Sequence, residues 1–415
     1  MPEQAFRNPG AGRINLSEDE AVILHSLFQS GPKSRADLAR EVYFSRSKVN
    51  DLVGKLLSRG ILQEIQRNGQ GKWMDLSVNP NLGYLVGIDL GTTSVDVGLA
   101  DCSCVMLDRL SATTDVNEGP EVVLGEAVRL LETLLVQYDV REDQLLGIGV
   151  GVPGPVNYPS GEVIGGQFTP GWEGFKIQEI LVARFPGVVI RTDNDANLMA
   201  MGSHQAGMAK DRSDFVFVKV GTGIGSGVYC RGQLHRGFSS CAGHIGHTCV
   251  DFNGPVCRCG NRGCLEAFAG GPGIAVAAEE AVAAGESEIL RSLKEAHGGV
   301  LTAVEVGEAA AMLDPAALQI IRRTGTLIGT VLAGVINLYN PELIVIGGGI
   351  SKIGNLLLAE IRREVLKRAY SYTTIGLQIE YSPIVDDVGV IGGVYFARDG
   401  VFAVDGEIIS EAGRN

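Results

Sequence analysis

Apolar residues recur along this chain at two periods, and the first change of period marks its first boundary. From residue 17 to residue 60 they fall three or four apart: Ala21, Leu24, Leu27 and Phe28, then Leu38, Ala39 and Val42, then Val49, Leu52, Val53, Leu56 and Leu57. That is the spacing of one buried face of a helix. Each stretch opens on a capping residue, with boxes at Ser17-Glu-Asp-Glu20 and Ser34-Arg-Ala-Asp37 and a third start at Ser45. Gly31-Pro32 stops the first helix, and Arg59-Gly60 closes the third. The period then drops to two, from Ile61 to Gln66 and from Trp73 to Val78, around Asn68-Gly-Gln-Gly71. That pattern predicts a hairpin. Asn79-Pro80-Asn81 breaks it and sets a boundary near residue 80.

Beyond residue 80 the pattern becomes short apolar runs separated by glycine turns. Tyr84 to Asp89 reads as a strand that enters the turn Gly91-Thr92-Thr93, and a second strand runs from Ser94 to Ala100. About 130 residues later the logic repeats: Phe215 to Val220 enters Gly221-Thr-Gly-Ile-Gly-Ser-Gly227 and continues into Val228-Tyr229. Between the two lie a helix near Glu121–Tyr138, a buried strand Leu146–Val152 ending at Pro153-Gly-Pro155, and a short strand Val188–Ile190. The last of these leads to Thr192-Asp-Asn-Asp-Ala-Asn197 and a helix from Ala196 to Ala206. Further helices are expected at Gly273–Ala284, Ala316–Tyr339, Asn355–Lys367 and Val388–Ala397, with a buried strand at Leu343–Gly347 and a loosely ordered tail after Asp399. Alternating strands and helices make an α/β body. The expected division is 1–80, 81–200, 201–399 and a tail, 400–415.

Composition adds two facts. A net charge of −13 argues against nucleic acid, yet residues 1–80 hold eleven Lys/Arg against nine Asp/Glu, a balance of +2 that leaves −15 for the remainder. Within residues 31–73 the balance is +5, so a small cationic module precedes an acidic body. Helix, short helix, turn, helix and hairpin is the order of a winged helix-turn-helix. Its DNA-facing candidates are Ser45, Arg46, Ser47, Lys48 and Asn50 on the third helix, with Arg67 and Lys72 flanking the wing. The alternative is a protein-docking module with a solvated basic face. The N-terminus has neither a basic start nor an apolar core of a secretory signal, no apolar run reaches membrane-span length, and eight cysteines in 415 residues do not form a disulfide framework. A reducing cytoplasm is the expected location.

The densest chemistry lies in Gly243–Glu266, GHIGHTCVDFNGPVCRCGNRGCLE, where Cys257, Cys259 and Cys264 follow His244 and His247. Three close thiols and an upstream imidazole can supply the four ligands of a tetrahedral zinc ion; a loop of free thiols is the alternative. The two glycine hairpins have amides and hydroxyls suited to phosphate oxygens, with Asp89, Gly91, Thr92 and Thr93 in the first and Gly221, Thr222 and Gly223 in the second. Gly348 stands where a nucleotide base or ribose could approach. Asn194 and Asp195 stand where α/β folds bind ligands, Asp195 as a candidate general base; the alternative for both is helix capping.

These motifs together resemble the ROK family of repressors and sugar kinases over essentially the whole chain. The matches are Asp89-Leu-Gly-Thr-Thr, Pro153-Gly-Pro155, Asn194-Asp-Ala-Asn197, Gly221–Gly227, Gly246-His247 and Cys257-Arg-Cys-Gly-Asn-Arg-Gly-Cys264-Leu-Glu266. The resemblance implies an actin/hexokinase-like, two-lobed α/β body behind the winged helix. It implies a structural zinc on His247, Cys257, Cys259 and Cys264, and a sugar in the interlobe cleft on Asn194, Asp195, His247 and Glu266. It further implies a homodimer or homotetramer that regulates transcription at operator DNA in response to a sugar effector. If the chain is instead a kinase, Mg²⁺ and ATP are its cofactors and Asp195 the base. One departure is His244, which stands where ROK kinases carry an acidic residue; it would offer a sugar a different set of donors and acceptors. His244 is also the alternative imidazole for the metal.

Overall fold

The computed structural model describes residues 13–67, 74–158, 160–165 and 171–404. The tip of the expected wing, with Lys72, lies outside the described residues. Three helices come first, α1 (Glu18–Ser30), α2 (Arg35–Glu41) and α3 (Arg46–Ser58). Ser17, Ser34 and Ser45 each accept from a backbone amide three residues on, and Ser17 and Glu20 complete a reciprocal capping box. Strands β1 (Leu62–Gln66) and β2 (Met74–Val78) pair antiparallel, and Lys33 bridges to Leu76 on the far side. Leu24, Leu38, Val53, Leu56 and Leu76 close the core of this module.

The chain divides into two compact units. The first joins the N-terminal module to a five-stranded sheet made of β3 (Tyr84–Leu90), β4 (Ser94–Asp101), β5 (Met106–Thr113), β6 (Leu145–Val152) and a strand at Val189–Asn194. Helix α4 (Pro120–Gln137) covers that sheet. A two-stranded ribbon, β7 (Val156–Asn157) with β8 (Glu162–Val163), and helix α5 (Ile177–Arg184) lead into β9 (Val189–Asn194). The order is β5-β4-β3-β6-β9, with antiparallel pairing on the β4 side of β3 and parallel pairing on the β6 side.

The second unit repeats this plan. After α6 (Asp195–Ala206) come β10 (Phe215–Val220), β11 (Ile224–Cys230) and β12 (Gln233–Leu234). The helices α7 (Leu265–Ala269), α8 (Gly271–Ala283), α9 (Glu288–Ala296), α10 (Ala303–Ala311) and α11 (Pro315–Tyr339) precede β13 (Leu343–Gly347), α12 (Asn355–Arg368) and β14 (Gln378–Tyr381). Its sheet order is β12-β11-β10-β13-β14, again antiparallel then parallel about the first strand. The duplicated glycine hairpins are therefore the visible part of a duplicated sheet.

The last helix, α13 (Val388–Val401), returns to the first unit. This corrects the expectation that the second lobe runs to residue 399 and a loose tail begins at 400. The reason is packing. A Cβ on Gly149 would overlap the Gly393 carbonyl oxygen, and one on Gly393 would stand 2.8 Å from the Gly87 Cα. Glycine faces glycine, so the helix backbone lies directly on β3 and β6. Its far end completes the N-terminal module: Ile14 N donates to Val401 O at 3.0 Å, the Phe28 and Phe402 rings meet edge to face at 5.1 Å, and the Arg398 guanidinium lies 4.7 Å from the Phe28 ring. The module expected as a separate domain, 1–80, thus shares one core with Leu85, Ala100, Leu146, Val394 and Phe402.

Candidate functional site

In the second unit the chain gathers four metal-ligating side chains. His247 ends a 3-10 turn, Ile245–His247, and Cys264 precedes α7. Cys257 and Cys259 sit in a turn closed by Cys257 N to Asn261 O at 2.7 Å and Gly260 N to Cys257 O at 2.9 Å. Glycine is required at 263: its φ is +69°, and a Cβ there would overlap the Asp251 carbonyl oxygen. The ligand atoms of His247, Cys257, Cys259 and Cys264 lie within 4.8 Å of one another, with Cys257 Sγ 3.7 Å from His247 Nδ1 and Cys259 Sγ 3.6 Å from Cys264 Sγ. Bonds of about 2.0–2.3 Å to a tetrahedral zinc require ligand edges of roughly that size. His244 is outside the set, and Cys249 is exposed and outside it too.

The electrostatics fit a cation. Burial pushes the Cys257 thiol up, and burial together with the neighbouring thiols pushes Cys264 up to about 12. Burial opposes ionisation of Cys259 as well, but the Asn261 amide and the other two thiols donate to its sulfur and bring it below the ordinary range. Of the three, only Cys259 is shifted toward the thiolate. A divalent ion supplies the charge that lets all three coordinate.

The wall beside this cluster is built from glycine turns. Glu266 Oε2 accepts from Ile224 N at 2.8 Å, and a Cβ on Gly223 would stand 2.8 Å from the same oxygen. Gly246 packs against the Ile224 carbonyl, and Gly271 N donates to Gly221 O at 2.8 Å. A Cβ on Gly348 would stand 2.5 Å from Val220 O, so the turns after β10 and β13 lie side by side. Gly221, Thr222, Gly223, His244, His247 and Glu266 are all half-buried.

In the first unit the expected residues meet at the carboxyl ends of the parallel strands. A Cβ on Gly151 of β6 would stand 3.4 Å from Asp195 Cα and 3.6 Å from Asp89 Oδ1, so both aspartates flank one glycine. Gly389, at the start of α13, leaves room for the Asp89 carboxylate, which a Cβ would overlap; sequence reasoning assigned it nothing, although it belongs to the glycine-rich run it did notice. Gly91 N donates to Ser94 O at 2.7 Å, and the carbonyls of Thr92 and Thr93 accept from Val116 and Thr114. Asn194 is a helix cap. Its Oδ1 accepts from Ala196 N and Asn197 N, and its Nδ2 donates to Gly154 O at 2.9 Å. Asp195, nearly buried, opens α6. Asp193, also missed, holds the turn by accepting from Asn194 N and Asn197 Nδ2.

On the N-terminal module Ser45, Arg46, Ser47 and Asn50 are exposed at the start of α3. Two expected contacts are already engaged. Lys48 pairs with Asp19 at 2.7 Å and lies 3.9 Å from the Phe44 ring, and Arg67 forms a fork with Asp75 and reaches Asp37. Lys33, Arg35, Arg40 and Arg59 are paired with carboxylates as well. Most of the module's cations are thus held in ion pairs, while its net balance stays at +2. Among the described residues of α3, Arg46 is the unpaired cation of the first turn.

Residues 85–400 match the ROK family, more than half of the chain. The chain belongs to the ROK family. A ROK relative from Caldicellulosiruptor bescii, named as a xylose repressor, is 28% identical over 382 residues, covering 90% of this chain and 94% of its own length. A glucokinase from Halalkalibacterium halodurans is 31% identical over 318 residues, covering 76% of this chain and 95% of its own. Among solved structures, a ROK family transcriptional regulator described as a homologue of the Escherichia coli Mlc protein has a TM-score of 0.79 at 23% identity, covering 93% of this chain and 96% of its own. That likeness shows the fold, a mixed α/β, actin/hexokinase-like one. The repressor match spans most of the chain, whereas the ROK family match itself begins at residue 85 and the glucokinase leaves about a quarter of the chain uncovered. Among the described residues, no helix is long and apolar enough to cross a membrane.

Proposed function

We propose that this ROK protein is a cytoplasmic transcriptional repressor that binds operator DNA through its N-terminal module and changes its affinity when a sugar binds. One observation carries the reading: a helix-turn-helix with a hairpin precedes the ROK body, and relatives that match along nearly the whole chain are named as repressors. Asn194, Asp195, His244, His247 and Glu266 are the residues proposed to meet the sugar, and Ser45, Arg46, Ser47 and Asn50 the DNA. Lys48 reaches a phosphate by exchanging its exposed pair with Asp19, worth about 0–1 kcal/mol, whereas Arg67 stays on its fork with Asp75. A zinc ion on His247, Cys257, Cys259 and Cys264 would be structural, keeping the turn that carries His247 and Glu266 in shape. A homodimer or homotetramer is proposed, since paired half-sites multiply affinity.

The sugar acts only through unequal affinity for the DNA-competent and incompetent states. The test is a mobility shift on the DNA upstream of the protein's own gene, repeated over a panel including xylose, glucose and N-acetylglucosamine. A specific complex released by one sugar is expected; no specific complex under any condition would overturn the reading.

A second reading, an ATP-dependent sugar kinase, is favoured by Asp89 and Asp195 flanking Gly151 and by the glucokinase relative. In that case Asp195 removes the hydroxyl proton, and the turns at Asp89–Thr93 and Gly221–Gly223, with Gly348, meet Mg²⁺–ATP. Coupled ATP consumption over the same sugars decides it, and absence of turnover removes it.

A further inference from the structure

The turn between α2 and α3 holds an anomaly. Tyr43 has φ +55° and is 93% exposed. A left-handed turn is where glycine is unstrained, and a bulky residue there costs of order 1 kcal/mol or more. An exposed ring ordinarily recovers none of that, because it buries nothing in the fold. Its neighbours behave differently: Val42 and Phe44 pack on the module's core, and Phe44 carries the Lys48 ammonium on its face. Of the three, Tyr43 alone is turned fully outward, two residues before the capping serine of α3 and three residues before Arg46.

The surroundings sharpen this. With Lys48 drawn to Asp19, Arg67 to Asp75 and Arg40 to Asp37, the surface at the start of α3 consists of Tyr43, Ser45, Arg46, Ser47 and Asn50. Ser45 Oγ accepts from the Lys48 amide and keeps its hydroxyl hydrogen for a phosphate. A neutral, amphipathic ring with a hydroxyl tip beside one free guanidinium suits a sugar–phosphate strand, where hydroxyl donors and apolar faces fix register without reading bases. We propose that Tyr43 is a DNA-backbone contact: its ring lies against a deoxyribose and its hydroxyl donates to a phosphate on the strand bordering the groove that α3 enters. This rests on the DNA-binding reading above and adds a residue to it.

The experiment uses the full chain and the DNA duplex that wild-type protein enriches from a random-sequence pool. Tyr43→Gly removes the ring and relieves the strain, Tyr43→Asn removes the ring while keeping a residue tolerant of the left-handed turn, and Tyr43→Phe removes only the hydroxyl. Gly and Asn variants are expected to melt at the same temperature or higher yet to lose roughly tenfold in affinity, about 1.4 kcal/mol. The loss should be equal on cognate and unrelated duplexes, and Phe should lose less. The slope of log affinity against log salt should stay at the wild-type value, because tyrosine displaces no counterion; Arg46→Ala should lower it by about one. Gly and Asn variants that bind as tightly as wild type would overturn the Tyr43 contact while leaving the DNA reading intact. If wild type enriches no duplex, both fall, and the two failures are distinct.

Discussion

Gly263 and Glu364 show what single residues hold in place. A methyl group at 263 has no space, since the Asp251 carbonyl occupies it and the φ is positive. Gly263→Ala should therefore distort the loop between Cys259 and Cys264, and bound zinc measured by a chromogenic chelator should fall from about one per chain to a small fraction of that. Glu364 is buried on α12, where Arg368 first and then Lys367 and Arg363 hold its carboxyl below the usual range. A depressed carboxylate stabilises the fold above its ordinary pKa of 4.5 and loses that contribution as pH falls through the lower, folded value. Arg368→Ala should raise the Glu364 pKa, and acid unfolding followed by circular dichroism should begin at a higher pH than in wild type.

At the scale of elements, glycine decides which surfaces touch. Gly149→Ala places a methyl on the Gly393 carbonyl where α13 crosses β6, an overpacking expected to cost about 1–3 kcal/mol in urea unfolding. Much of the framework was legible because it obeys simple periodicities. The three serine-capped helices, the glycine hairpins, α11 and β13 all announce themselves in the residue pattern. The elements that escaped are those whose burial is partial or borrowed. β5 is an edge strand with three of its eight residues exposed and none buried, so its pattern carries no apolar run. α10 was legible in principle, through the box Thr302…Glu305, but small alanines form its buried face. The close thiols pointed to a cluster that could hold a metal, while the capping role of Asn194 became visible only through its bonds to Ala196, Asn197 and Gly154. The charge count depends on its window for a physical reason: Asp19, Glu20 and Asp75 lie outside residues 31–73 in sequence but meet Lys48, Arg59 and Arg67 in space.

Across the whole molecule, one sheet plan is used twice, and the two copies differ in what is inserted. The first carries the N-terminal module and the second the cysteine turn, which hangs between β12 and α7. Stripping zinc with a strong chelator should lower the melting temperature and abolish the response to sugar, since the turn bearing His247 loses its tie to Cys257, Cys259 and Cys264. A metal-free protein that keeps full sugar-dependent release of DNA would break that link. The return of α13 matters in a different way during synthesis. Phe402 leaves the ribosome about 370 residues after Phe28, and the two share one core. At roughly 5–20 residues per second the interval is about 20–75 s. Throughout it the helical module exists without its final pieces, so a nascent chain or one that stops before α13 presents that module with an unfinished core. The core of that module therefore closes only when a helix made hundreds of residues later has been added to it.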